Sequence, residues 1–279
     1  MSARSVLAAL TLLAGLGLTA CSSPAPAPPR QPVAVDTSVS TTYYPVRGAT
    51  TAAIFAAIGA NGLVDMSGQR AVGVTAAEWK LTSGDVDARA VPCVFPSLTI
   101  GLHLVVTLPR HETPDDLSAD LRGTWDRFVA RIAAHEQRHV DIYLDGAKAM
   151  KARLETMRTV ASCADLEKAI DAEWRAQQAD IERAQAEFHA ADETTARSER
   201  EALQARLDDT RARLEPVDAE IRRLDAELAD LRRQVDAGRA DLATQHNTLA
   251  GRRRALAEEH NHLVADANGL IDALNWARW

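Results

Sequence analysis

Ten positions spaced seven apart, from 207 to 270, read Leu, Leu, Ile, Leu, Val, Leu, Leu, Leu, Leu and Leu. An apolar repeat of seven sustained this far is the seam of a helical coiled coil, because 3.5 residues per turn returns each seventh side chain to one face. A companion series holds Leu203, Val217, Leu224 and Leu231, then fades to Gly238, Gln245, Arg252, Glu259 and Asp266. Residues 196–279 are therefore read as a helical coiled-coil region. Two forms stay open. One is a straight helix on the order of 100 Å long, kinked at Pro216. The other is a folded-back pair that turns at Gly238.

The opposite end of the chain reads as an export signal. Arg4 precedes an apolar run from Val6 to Thr19, too short to span a membrane comfortably. The run closes on Leu18-Thr19-Ala20-Cys21, which resembles a lipobox. That resemblance implies a signal peptide over 1–20 and lipid on Cys21. With Ser22 next in place of Asp, it also implies an outer-membrane anchor facing the periplasm. Residues 21–40 are read as the lipidated cysteine and a tether. Proline is dense in SSPAPAPPRQPV, Ser22 to Val33, which favours an extended, semi-rigid spacer. With Cys21 taken by lipid, Cys93 and Cys163 remain, and an exported protein is expected to pair them. Formal net charge is −7, so there is no basic excess and nucleic acid is not an expected partner.

Between these ends lies a domain read as residues 41–195. Tyr43 to Val46 and Val72 to Leu81 suit strands, and Thr50 to Ala60 suits a small buried helix. Leu98 to Thr107 is the clearest strand, alternating Leu98, Ile100, Leu102, Leu104 and Val106 with Thr99, Gly101, His103, Val105 and Thr107. As an exposed edge this strand would pair with an extended peptide, with His103 a candidate to face a cleft. From Thr113-Pro114-Asp115-Asp116 the pattern turns helical. An inward stripe runs Leu121, Trp125, Phe128, Ile132, His135, His139, Ile142 and Gly146, and the helix extends to about Met157. A turn over Thr159 to Ala164 leads into a second helix from Asp165 to about Ala190.

The stripe carries His135-Glu136-Gln137-Arg138-His139, an H-E-x-x-H motif. Residues four apart share a helix face, so both imidazoles can reach one zinc ion. Glu136 stands beside them as the general base for an attacking water. Burying two imidazoles where Leu or Ile would otherwise sit is costly unless something satisfies them, and a metal satisfies both. A catalytic zinc takes three protein ligands. Folding the second helix back from the turn brings residues 183–190 opposite the motif. His189 is the preferred third ligand, with Glu182, Glu187, Asp192 and Glu193 as alternatives. Tyr143, one turn on, is a candidate to assist an oxyanion, with packing the favoured role.

These residues resemble a family of bacterial proteins described as secreted zinc-dependent proteases from their motif alone. The likeness rests on Tyr44 to Gly48, a Trp-bearing strand with Trp79, Cys93, Trp125 with Phe128, the H-E-x-x-H and Cys163. It departs at one place. The family's second helix ends in Tyr-Asp-x-x-Thr-x-His-Gly, and here the histidine position is Thr194.

The fold expected is α+β: a small mixed sheet packed on a helical hairpin carrying H-E-x-x-H, followed by a long coiled coil. The expected function is a membrane-tethered zinc metallopeptidase acting on peptide or protein substrates. The alternative is a non-catalytic envelope scaffold that binds a partner, or itself, through the coiled coil.

Overall fold

The computed structural model describes residues 32–61, 63–64, 68, 70–85, 93, 95, 97–157 and 162–277. Cys21 and the signal segment lie outside them. Among the described residues no helix is long and apolar enough to cross a membrane.

The clearest strand of the sequence is the centre of the sheet. β3 (Leu98–His111) pairs in parallel with β1 (Val33–Val46) and antiparallel with β2 (Val74–Ser83). Its alternation buries Leu98, Ile100, Leu102, Leu104 and Val106 against the helices. Because β3 is paired on both sides, the expectation that it offers an edge to a peptide is overturned. His103 faces solvent, with its Nδ1 2.6 Å from Ser38 Oγ. β1 starts at Val33, well inside the stretch read as tether to residue 40. Its β-branched Thr37, Val39, Thr41 and Thr42 suit a strand, but its middle is exposed, so it lacks the apolar alternation that betrays β3. Between β1 and β2, α1 (Thr51–Asn61) buries Ile54 and Ile58.

α2 (Ala119–Glu155) starts later than the Thr-Pro-Asp-Asp signal suggests. Pro114–Asp116 forms a 3-10 turn, and the N-cap is Ser118, whose side chain accepts from the Leu121 N–H. Its inner face sets Trp125, Phe128, Ile132, Val140, Ala147, Met150 and Leu154 against the sheet.

α3 (Cys163–Asp236) is a single helix of 74 residues, on the order of 110 Å long. It runs unbroken through the boundary read between 195 and 196. One helix is therefore both the second half of the motif-bearing hairpin and the outgoing leg of the coiled coil. Pro216 lies inside it without ending it. The turn comes at Gly238, whose φ of 102° favours glycine. α4 (Ala243–Trp276) then folds back along α3. Leu207 packs with Ala267 and Leu270, and further out Arg253 meets Asp225 at 2.9 Å and Arg252 meets Glu220 at 2.7 Å. The folded-back form is the one adopted.

Two contacts close the structure. Trp276, at the end of α4, lies 4.6 Å from the Phe55 ring and 4.9 Å from the Phe128 ring, centroid to centroid, and Arg131 donates to its carbonyl at 2.9 Å. The tail of the chain is thus part of the main core. The expected disulfide is present: Cys93 joins Cys163, tying the approach to β3 to the first turn of α3. Trp276→Ala is expected to cost about 3 kcal/mol in urea unfolding, as loss of a buried indole does elsewhere. Reducing the disulfide, which spans a sequence separation of 70, is expected to cost about 4 kcal/mol in the same assay.

Candidate metal centre

α2 and α3 lie antiparallel, and Gly146 sets how closely they approach. A Cβ at Gly146 would stand 2.6 Å from Ile181 Cδ1, so only glycine admits Ile181 there without displacement. This contact lays residues 185–192 of α3 over His135 and His139 of α2.

The ring nitrogens of the two motif histidines are placed in pairs. His135 Nε2 and His139 Nε2 lie 3.1 Å apart. On the far side of each ring Nδ1 meets an acceptor: Asp192 Oδ2 at 3.0 Å from His135, and Gln185 Oε1 close to His139. With those oxygens accepting, each Nδ1 carries the proton and each Nε2 is a bare lone pair. With both rings neutral, two lone pairs then face each other with no hydrogen between them. A cation resolves that repulsion. Their separation is close to the roughly 3.3 Å that two nitrogens take on one tetrahedral zinc ion. His189, from α3, completes the set: one ligand atom from each of His135, His139 and His189 lies within 4.8 Å of the others. Phe188 stands against the first two rings, at 4.8 and 5.0 Å between centroids.

Charge follows burial. His139 is 9% exposed, and its pKa is pulled down to about 4, chiefly by desolvation, with the Gln185 bond opposing. It is neutral at pH 7 and has no proton to lose before ligating. His135 is more open, its side chain 25% exposed, so the inward stripe read from the sequence tilts at this turn. Glu136 takes the buried place, at 4% exposure. Burial raises its pKa, while a hydrogen bond from Thr75 and the neighbouring His135 pull it back.

His135, His139 and His189 are thus brought together as read, while the Glu136 carboxylate lies against Thr75 of β2. Among the alternative third ligands, Asp192 orients His135, Glu193 pairs with Arg197, and Glu182 and Glu187 are exposed. Thr194 hydrogen-bonds its own helix at the Ala190 carbonyl. Tyr143 is buried beside Trp79. A groove of about 710 Å³ lies beyond the trio along α2, lined by Arg127, Arg131, Glu199, Leu203 and Trp276, and none of the three histidines lines it.

Sequence reading missed Gln185 and Thr75. Both are buried polar side chains whose role depends on which element lies opposite, and neither belongs to a spacing motif.

The sequence model described as "Bacterial protein of unknown function (DUF922)" matches residues 41–197, more than half of the chain. The chain belongs to this DUF922 family. The match covers the end of β1, all of β2, β3 and α2, and the part of α3 that carries His189, and stops where the coiled coil takes over. No curated protein and no solved structure matches the chain.

Alanine at His135, His139 or His189 is expected to weaken zinc binding by at least about tenfold. Glu182→Gln, Glu187→Gln and Glu193→Gln should leave it unchanged. Asp192→Asn, which loosens the orienting contact, should weaken it about tenfold. Bound metal per chain in purified full-length protein, by mass spectrometry, reads all of these.

Proposed function

We propose that this DUF922 protein is a zinc-dependent metallopeptidase of the bacterial cell envelope, tethered to the membrane through lipid on Cys21. The observation that carries the reading is the 3.1 Å approach of His135 Nε2 to His139 Nε2, with a third imidazole within reach and the buried Glu136 next in sequence to His135. Zinc suits three imidazoles, and with three protein ligands one position stays open for chemistry. When bound, it supplies a Lewis acid that makes water nucleophilic near neutral pH.

The chain's own residues do the rest. His135, His139 and His189 hold the ion, with Asp192 and Gln185 keeping the first two rings turned toward it. Glu136, its proton affinity raised by burial, takes the proton from the attacking water and passes it to the leaving amine. The trio lies on an open stretch of the α2–α3 hairpin, with His189 exposed, which suits an extended chain as substrate more than a small enclosed molecule. A disulfide in a protein with an apolar N-terminal segment supports an oxidising, exported location.

The arm formed by α3 and α4 supports a second reading, an envelope scaffold. Hydrolysis has no use for two helices that extend tens of Å beyond the histidines. Under this view the metal fixes the hairpin and the arm holds a partner or a second copy.

Glu136→Gln separates the two. On the peptidase reading the variant keeps its zinc and loses cleavage of labelled casein by at least about 100-fold. Equal cleavage by variant and parent, or a protein that takes up no zinc, would rule it out.

A further inference from the structure

We infer that Thr75, on β2, is a positioning residue that holds the Glu136 carboxylate for its task, with Gly73 leaving the room it needs. The inference rests on the peptidase reading and extends it to residues outside the motif.

A glutamate on a helix swings on three torsions, and nothing in α2 itself decides where the carboxylate of Glu136 points. The sheet decides it. Thr75 is 7% exposed, and its Oγ1 lies 2.7 Å from Glu136 Oε2 and 3.3 Å from the Glu136 carbonyl. A hydroxyl has one proton, and the shorter contact takes it, so Thr75 donates to Oε2. That bond fixes one carboxylate oxygen and with it the plane of the group.

Two residues earlier, in the bend that leads into β2, the chain is cut to fit the same side chain. A Cβ on Gly73 would fall 2.8 Å from Glu136 Oε1, 3.0 Å from its Cγ and 2.7 Å from Ile132 Cγ2. Gly73, in that bend, and Thr75 on the strand therefore bracket the carboxylate, a donor on one oxygen and bare backbone beside the other. The bracket is rigid because Thr75 is held opposite Val106 of the central strand, with Val74 opposite Thr107. Proton transfer is sensitive to such placement: an error of about 1 Å can cost 100-fold in rate.

A residue that merely satisfied a buried acid would affect stability alone, so the test reads turnover and geometry separately. Full-length, zinc-loaded Thr75→Val, Thr75→Ser, Thr75→Ala and Gly73→Ala are compared with the parent on labelled casein, with Glu136→Gln run in parallel. Thr75→Val is expected to lower kcat by about 10- to 50-fold with KM and zinc content unchanged, and Thr75→Ser to restore most of it. In crystal structures the Glu136 carboxylate should leave its place in Thr75→Val and Gly73→Ala and keep it in Thr75→Ser. If Thr75→Val does not fold, Thr75→Ala, which adds no bulk, gives the same comparison.

Full activity in Thr75→Val with the carboxylate unmoved, while Glu136→Gln is inactive, would overturn the positioning role alone. So would a serine variant no better than valine. If the parent and Glu136→Gln cleave casein equally, or neither cleaves it, the peptidase reading falls instead. The carboxylate's position in the crystals then still decides whether Thr75 holds it.

Discussion

The close approach of α2 and α3 at Gly146 is the contact on which the rest depends. Ile181 occupies the space where a side chain would stand, and this fixes how α3 is set along α2. A shift of one residue would turn each α3 side chain by about 100° around its axis. Asp192 would leave His135 and Gln185 would leave His139. The orientation of the rings, and with it the facing of two lone pairs, is thus a result of helix packing as much as of the motif. The disulfide at the start of α3 acts in the same direction by anchoring that helix beside the sheet.

How much was legible follows from what kind of signal each part sends. β3 and the motif face of α2 announce themselves because their periodicity and their burial agree. β1 is nearly silent, since a half-exposed edge strand needs no apolar alternation. The histidine trio was readable from spacing plus one turn, and one ligand atom from each of His135, His139 and His189 lies within 4.8 Å of the others. The hairpin was also written in the heptads, in a form easy to misread. Before Gly238 the companion apolar series sits four residues ahead of the main one. After it, the companion positions that are covered sit four residues behind, at His246, Arg253, His260, Ala267 and Leu274, of which only the last two are apolar. What looked like a fading seam is the change of side that an antiparallel return imposes. Gln185, Thr75 and Gly73 send no such signal, because each matters only through what another element places opposite.

Electrostatics at the centre divides along burial. The Glu136 carboxylate and the His139 imidazole are the most enclosed, and desolvation drives both toward neutrality. For the histidine this favours ligation. For the glutamate it raises proton affinity, while the Thr75 hydroxyl sets the opposite limit. His135 and His189 are more open to solvent, so these two rings form the outward face of the trio.

Both roots of the arm are pinned, α3 by its packing on α2 and α4 by Trp276 between Phe55 and Phe128. A loop pinned at both feet can be lengthened without moving either. Inserting one heptad in each leg keeps the two seams in step and carries the tip outward by about 10 Å. Reach is therefore adjustable in fixed increments, independently of the chemistry at the base, much as the length of a boom is independent of the machine that carries it.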